Sequence, residues 1–202
     1  MDQVLEYTPN KTDTVRFLGT FDVDELRQKV LKLEDDQWDK KEDYDANYNK
    51  KHALMYTQHI IFRFADKREK PYQYYGLPAW DEWRDTLLPM MEEIVNVYGY
   101  DNGFYPRVML AKLPPGGMIK PHVDGIPPKV GGHKIHLSLK TNPDCFFYVI
   151  PEKFHFKEGE AYEVNNAAMH SVINNGDTDR IHLIFEYLNI DLQSNRDHFP
   201  QV

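Results

Sequence analysis

Apolar and polar residues alternate through much of the C-terminal half of the chain, a pattern typical of two-faced β-strands. Residues 134–140 read Lys-Ile-His-Leu-Ser-Leu-Lys, and residues 180–185 read Arg-Ile-His-Leu-Ile-Phe. Each segment therefore offers one apolar face to a core and one polar face. In an open sheet the polar face would meet water, whereas in a barrel-like fold it can line a ligand cavity. We predict strands from about residue 104 to about residue 187.

Helical spacing of apolar residues occurs in the N-terminal half instead. The regular elements predicted there are strands 15–19 and 57–64 and helices 24–34 and 80–98. Pro89 falls inside the second helix, where its missing amide hydrogen can produce a kink. The charged stretch 35–51 and the Tyr-rich stretch 67–76 have little apolar periodicity and are predicted to be surface loops.

Length and composition bound the class of protein. The chain has 202 residues, enough for a single domain in which residues 1–103 elaborate a β-core formed by residues 104–190. A net charge of −8 argues against nucleic acids and anionic membranes as partners, because both require a cationic surface. The chain has no apolar run of membrane-spanning length, no signal-peptide pattern and one cysteine, Cys145, which permits no intrachain disulfide. These features predict a cytoplasmic location.

Candidate chemistry is concentrated between residues 121 and 180. His122 and Asp124 stand at i and i+2, so on a strand both side chains would point to one face and reach one metal ion. His170 would complete the set of two imidazoles and a carboxylate that holds non-haem Fe(II) with open coordination positions. Alone, a His-x-Asp pair is usually ordinary surface polarity. Its combination with a later histidine and with Arg180 favours a metal site.

The segment around His170 predicts a β-hairpin. Residues 169–173 form its first strand, Asn-Asn-Gly-Asp forms the turn, and residues 180–185 form the second strand. Such a hairpin would place His170 beside Arg180, whose guanidinium could hold the far end of a dicarboxylate bound at the metal. An ordinary exposed charge is the alternative interpretation of Arg180. His133 is predicted to be a polar loop residue.

Residues 105–189 carry an ordered series of motifs. They are the Pro-Gly-rich segment 113–119, Pro121-His122, Lys134-Ile135-His136-Leu137, Thr141-Asn142-Pro143, Gly159-Glu160, Asn166, His170-Ser171-Val172 and Arg180-Ile181-His182-Leu183. This series resembles the aspartyl/asparaginyl β-hydroxylase family of Fe(II)- and 2-oxoglutarate-dependent dioxygenases. The resemblance implies a mainly β (α+β) chain, with a double-stranded β-helix (jelly-roll, cupin-like) core and N-terminal helices packed on it.

The resemblance also implies roles for particular residues. His122 and His170 match the family's metal histidines, and Arg180 matches the residue that pairs with the distal carboxylate of 2-oxoglutarate. His136 and Lys134 match a basic-x-His pair near this co-substrate. The implied cofactors are Fe(II) and 2-oxoglutarate, and O2 is the implied partner in the hydroxylation.

Two residues depart from the family pattern. Some family members have no carboxylate two residues after the first histidine, whereas Asp124 here would complete a three-ligand set. Lys134 stands where the family often has arginine, and lysine cannot make a bidentate contact with a carboxylate. We therefore expect conventional three-ligand iron, and we favour His136 over Lys134 as the contact of the co-substrate.

The favoured hypothesis is a dioxygenase that hydroxylates an Asp- or Asn-type side chain in a peptide or protein. The runner-up is a hydroxylase of a free amino acid such as proline; a third hypothesis is a non-catalytic, cupin-like protein holding Zn(II) or no metal. Arg180 discriminates, because a plain metal-binding protein needs no dicarboxylate anchor. The acidic balance and the absence of a second arginine on the final strand disfavour a nucleic-acid demethylase. We expect the Tyr-rich loops to select the substrate, through Tyr44, Tyr48, Tyr74 and Tyr75.

Overall fold

Antiparallel strands and three helices form the regular structure of the part of the chain that the computed structural model describes, residues 12–39, 55–66, 72–124 and 132–199. The strands are β1 (Val15–Thr20), β2 (Gln58–Asp66), β3 (Gln73–Gly76), β4 (Gly103–Phe104), β5 (Val108–Leu113), β6 (Met118–His122), β7 (His133–Lys140), β8 (Cys145–Val149), β9 (Glu152–Phe154), β10 (Glu160–Val164), β11 (His170–Asn174) and β12 (Arg180–Asn189). The helices are α1 (Asp24–Leu31), α2 (Pro78–Val95) and α3 (Gln193–His198), and short 3-10 helices cover Asp35–Gln37 and Asn96–Tyr98.

The strands are arranged in two antiparallel sheets. The larger sheet has the order β1-β10-β7-β12-β5-β2-β3, and β4 pairs with the end of β12. The smaller sheet has the order β6-β11-β8-β9. Several strands that follow one another in the chain cross from one sheet to the other, as β5 to β6 and β11 to β12 do. This arrangement confirms the predicted jelly-roll core, and β1, β2 and β3 from the N-terminal half extend its larger sheet.

Alternation on β7 sends its two sets of side chains into two different environments. Ile135, Leu137 and Leu139 are fully buried in an apolar cluster with Trp83 and Leu87 of α2. Burying a side chain of this size stabilises the fold by about 1.5–3 kcal/mol. The polar set of β7 therefore points the other way, toward the smaller sheet, whose buried side chains form a second cluster.

The two longer helices begin and end close to their predicted bounds. Pro78 lies in the first turn of α2, where its missing amide hydrogen costs little, and the helix continues through Pro89 to Val95. A 3-10 turn follows and ends at Gly99, whose φ of 62° is left-handed. α1 ends at Leu31, earlier than the predicted residue 34. None of the helices within the described residues is long and apolar enough to cross a membrane.

The predicted loop 67–76 is partly wrong. Gln73–Gly76 forms β3, which pairs with β2 at one edge of the larger sheet. Tyr74 packs edge-on against Phe104, and the Arg63 guanidinium lies 4.5 Å from the Tyr74 ring centre. These contacts join distant parts of the chain, so local periodicity does not reveal them.

The second predicted loop, 35–51, lies only partly within the described residues. Its first residues form the 3-10 helix Asp35–Gln37. Tyr44 and Tyr48 lie outside the described residues. Their predicted contact with a substrate stays a prediction.

The predicted hairpin between His170 and Arg180 is wrong. β11 pairs with β6 and β8 in the smaller sheet, while β12 pairs with β4, β5 and β7. The Asn174 side-chain amide stabilises the crossing by donating to the carbonyls of Leu113 at 3.0 Å and Thr178 at 2.9 Å. The turn residues were identified correctly, but long-range pairing overrides the local hairpin signal. His170 and Arg180 consequently belong to different sheets.

Candidate active site

The pairing of β6 with β11 brings two predicted metal ligands together. His122 and His170 are direct cross-strand partners, and their ring centres lie 4.3 Å apart. Asp124 lies beyond the end of β6 rather than on the strand, and its amide donates to the Asn166 carbonyl at 3.0 Å. This bond holds the chain where the Asp124 carboxylate joins the two imidazoles.

Hydrogen bonds to the backbone fix which nitrogen of each imidazole faces the cluster. Nδ1 of His122 donates to the Lys120 carbonyl at 2.7 Å, and Nδ1 of His170 donates to the Ala168 carbonyl at 3.0 Å. Because a carbonyl only accepts, Nδ1 of each ring carries a proton and Nε2 is the nitrogen that faces the cluster. These Nε2 atoms lie 3.5 Å and 3.8 Å from Asp124 Oδ1, and the three possible ligand atoms are all within 4.8 Å of one another. The arrangement fits a divalent transition metal.

Burial and charge set the protonation of this cluster. Burial lowers the pKa of His170 to about 4, although the nearby Asp124 carboxylate acts in the opposite direction. Burial would raise the pKa of Asp124, but Lys134 and His122 hold it well below its usual range. At neutral pH His170 is therefore neutral and Asp124 is ionised, which are the forms that bind metals.

Lys134 directly contacts the cluster formed by His122, Asp124 and His170. Its Nζ donates a hydrogen bond to Asp124 Oδ2, so the two residues form an ion pair. Lys134 pairs with Val164 of β10. The Lys134 side chain leaves β7 on the same face as His136, as the alternation predicts. The contact of Lys134 with the co-substrate stays a prediction.

Arg180 is almost completely buried, with 1% of its surface exposed. Its Nη2 donates to Nδ1 of His182 at 2.6 Å and approaches Nδ1 of His136 at 3.5 Å. Burial lowers the pKa of Arg180 to about 10, so the guanidinium stays charged at neutral pH. Its Nη1 is buried and has no hydrogen-bond partner among the residues that the structure describes. A buried cation with an unsatisfied donor fits a site that an anion completes.

A row of aromatic rings, the aromatic wall, runs from His170 toward Arg180. Its rings are His170, Phe147, Phe156 and His182, with successive centres 5.9, 5.1 and 5.9 Å apart. The planes are nearly parallel, at 6°, 12° and 18° to one another. The wall provides an apolar side for a ligand that reaches from the smaller sheet to the larger one.

Two residues of this region were not assigned from the sequence, His182 and Phe156. Both line a small cavity beside Arg180, together with Thr141, Cys145, Phe147 and Val172. The sequence did carry a signal for His182, because it shares the polar face of β12 with Arg180. It carried none for Phe156, which lies in the connection between β9 and β10 and belongs to no periodic segment.

His133 is not the loop residue that was predicted. It is the first residue of β7 and is fully buried on the face that packs toward the helices. Its Nδ1 lies 2.7 Å from Glu163 Oε1, and its Nε2 lies 2.7 Å from the Tyr100 hydroxyl. Glu163 also accepts hydrogen bonds from Tyr98 and Arg16. Because both ring nitrogens have partners, we assign His133 a structural role.

One protein family and several solved structures resemble the chain. Residues 20–189 match the family described as Aspartyl/Asparaginyl beta-hydroxylase. No curated protein sequence matches the chain. The viral collagen prolyl hydroxylase vCPH from Paramecium Bursaria Chlorella virus-1, solved as a 2OG complex, has a TM-score of 0.54 and 14% identity, covering 86% of this chain and 94% of that one. A 2OG-Fe(II) oxygenase family oxidoreductase from Burkholderia pseudomallei has a TM-score of 0.51 and 16% identity, covering 68% and 71%. These likenesses establish the shared fold.

Proposed function

The chain belongs to the aspartyl/asparaginyl β-hydroxylase family, and on that premise we propose that it is an Fe(II)- and 2-oxoglutarate-dependent dioxygenase. The proposed reaction hydroxylates an Asp- or Asn-type side chain in a peptide or protein, with O2 as co-substrate. The observation that carries the proposal is the convergence of His122, Asp124 and His170. Iron with 2-oxoglutarate and O2 supplies the oxidising power for the C–H bond, which no amino-acid side chain could supply.

The chain's own residues bind and orient the reactants. Nε2 of His122, Nε2 of His170 and the Asp124 carboxylate would hold the metal at three positions and leave the others for ligands. Lys134 balances the charge of Asp124 and keeps its carboxylate turned toward the imidazoles. Arg180 would pair with the far carboxylate of 2-oxoglutarate, and the aromatic wall would exclude water between the two ends.

Arg180 argues against a non-catalytic metal-binding protein. A metal site alone gives no reason to bury a guanidinium with one nitrogen unsatisfied. Beside it, burial and the charge of Arg180 hold the pKa of His136 well below its usual range, so that ring is neutral. A neutral imidazole whose Nδ1 faces a guanidinium carries its proton on Nε2 and can donate it to a ligand. His136 is accordingly proposed as a co-substrate contact.

Substrate selection is the finer part of the proposal. A residue in a polypeptide is favoured, and a free amino acid such as proline is the runner-up. The N-terminal half is proposed to select between them. Of its four candidate tyrosines, Tyr75 is 41% exposed on the edge strand β3 and is open to contact, whereas Tyr74 is engaged with Phe104.

Succinate release tests the function directly. Purified protein with Fe(II) and 2-oxoglutarate is supplied with Asp- or Asn-containing peptides in one panel and free amino acids, including proline, in another. We expect succinate release that depends on one peptide class, and a matching hydroxylated product in the mass spectrum. Release with free proline alone would select the runner-up.

Variants test the metal assignment. His170→Ala should lose both iron occupancy, measured by metal analysis, and turnover. His155→Ala is the matched control, because His155 is half-buried, lies outside the cluster, donates to the Cys145 carbonyl at 3.0 Å and packs edge-on against Phe146. Full iron binding and activity in His170→Ala would contradict the assignment.

A further inference from the structure

We propose that His182 is a second anchor for the far carboxylate of 2-oxoglutarate, acting beside Arg180. The inference rests on the proposed function and adds a residue whose contribution neither sequence nor family established. Three observations carry it: the direction of one hydrogen bond, two unsatisfied buried donors, and the cavity that both residues line.

The hydrogen bond between Arg180 and His182 fixes the tautomer of the imidazole. Arg180 Nη2 lies 2.6 Å from His182 Nδ1. A guanidinium has donors and no acceptor, so Nδ1 must accept. Burial and the charge of Arg180 also hold the pKa of His182 well below its usual range, which keeps the ring neutral. The single proton of the ring is therefore on Nε2, which becomes a donor.

Among the residues that the structure describes, none accepts a hydrogen bond from this nitrogen. His182 Nε2 and Arg180 Nη1 are both buried, and neither has a hydrogen bond within the described part of the chain. Both residues are nearly inaccessible, at 2% and 1% exposure. Leaving two such donors unsatisfied costs free energy, so a ligand that accepts from both is expected.

Arg180 and His182 line the same small cavity. Its other lining residues are Thr141, Cys145, Phe147, Phe156 and Val172, so no carboxylate of the described residues belongs to the lining. The cavity holds about 10 Å³, room for a terminal group and not for a ring. A carboxylate is the small acceptor group that suits a cation and a neutral donor together, with one oxygen for each. An ordered water is the other occupant of this size.

A ligand pair separates the two occupants. 2-Oxoglutarate and 2-oxopentanoate share the chelating end, but only the first has a far carboxylate. Binding of each to Fe(II)-loaded protein is measured calorimetrically without oxygen, for wild type and His182→Leu. Loss of one hydrogen bond to a charged group should weaken 2-oxoglutarate binding about 10- to 100-fold. Binding of 2-oxopentanoate should change by less than about 3-fold.

Rescue supplies the control. In His182→Gln the side-chain oxygen can accept from Arg180 and the amide can donate into the cavity, so most of the discrimination between the two ligands should return. His155→Leu, which removes a histidine outside the cavity, should leave both affinities at wild-type values. Equal weakening of both ligands in His182→Leu, or no weakening of either, would overturn the proposal and leave the cavity to water.

A measurement on the wild type avoids dependence on the folding of a variant. Nitrogen-15 NMR of the imidazoles should show the proton of His182 on Nε2, with a shift when 2-oxoglutarate binds and none when 2-oxopentanoate binds. A proton on Nδ1 would overturn the inference. Wild-type protein that binds neither ligand would instead reject the proposed function, before any variant is made.

Discussion

Two polar clusters contain buried histidines on opposite faces of the larger sheet. On the helix side, His133 has both ring nitrogens hydrogen-bonded, to Glu163 and Tyr100. On the inner side, His182 is just as buried, yet its Nε2 and the neighbouring Nη1 of Arg180 have no partner among the described residues. Burial is the same in both places; the completeness of hydrogen bonding differs. Incomplete hydrogen bonding, rather than burial, therefore distinguishes the proposed binding site from the structural cluster.

The two clusters should therefore differ in what they stabilise. A fully satisfied buried network rigidifies the fold, and removing one member leaves the others unpaired. An unsatisfied buried cation lowers the stability of the free protein, and its removal can be neutral or stabilising. The helix-side cluster around His133 (the outer cluster) should therefore stabilise the fold. The cluster of Arg180 and His182 (the inner cluster) should determine the affinity for 2-oxoglutarate.

The largest expected effect is on the inner cluster. Arg180→Met should weaken 2-oxoglutarate binding roughly 30- to 1000-fold, or about 2–4 kcal/mol, because a charge-assisted contact is lost. Fe(II) binding should survive, and the free energy of unfolding without co-substrate should fall by less than about 1 kcal/mol. Titration calorimetry and urea unfolding measure the two quantities, with Arg84→Met, which changes an exposed arginine of α2, as the control. Wild-type affinity in Arg180→Met would place the anchor elsewhere.

A substitution in the outer cluster should have the opposite effect, with lower stability and unchanged affinity for 2-oxoglutarate. Glu163→Ala removes the acceptor for His133, Tyr98 and Arg16, and should lower the free energy of unfolding by about 2–3 kcal/mol. The affinity of the folded protein for 2-oxoglutarate should stay at the wild-type value. A loss of affinity as large as in Arg180→Met would show that the two faces of the sheet are not separable.

Acidification gives a smaller, graded effect. The pKa of His182 is held well below its usual range, and burial lowers that of His170 to about 4 from the ordinary 6.5. As the pH falls, these histidines are protonated in the unfolded chain before they are protonated in the folded protein. Their contribution to the free energy of unfolding is therefore fully present above pH 6.5 and is lost as the pH drops toward 4. Each histidine adds up to about 1.4 kcal/mol per pH unit. Urea unfolding of chelator-treated protein should show this slope. His182→Gln should make it shallower, and an unchanged slope would contradict a neutral His182.

The sequence predicted the parts of the site that local spacing determines. The alternation on β7 and β12 follows from strand geometry alone, so the face that carries Lys134 and His136 was predictable without a structure. The i, i+2 spacing correctly predicted that His122 and Asp124 meet, but Asp124 lies beyond the end of β6 rather than on the strand. Helix α2 was also predictable from local spacing, because its apolar residues recur at helical intervals.

The sequence did not predict what depends on distant partners. The segment after His170 has good turn chemistry, yet β11 finds its partners in β6 and β8 because the two sheets must close around one interior. The structural role of His133 was hidden, and for His182 the sequence indicated only a place on the polar face of β12. Both are histidines in alternating strands, and only the presence or absence of partners on remote elements tells them apart.

The position of β1 has a consequence for how the chain is made. This strand forms an edge of the larger sheet and pairs with β10, so that the Arg16–Glu163 contact joins residues 147 positions apart. Synthesis proceeds from the N-terminus at about 5–20 residues per second. β1 therefore leaves the ribosome well before β10, the strand with which it pairs, has been synthesised. Throughout that interval its unpaired edge is open to other chains. A nascent chain stopped before β10 would lack His170, a proposed metal ligand, and also the strand with which its own first strand pairs.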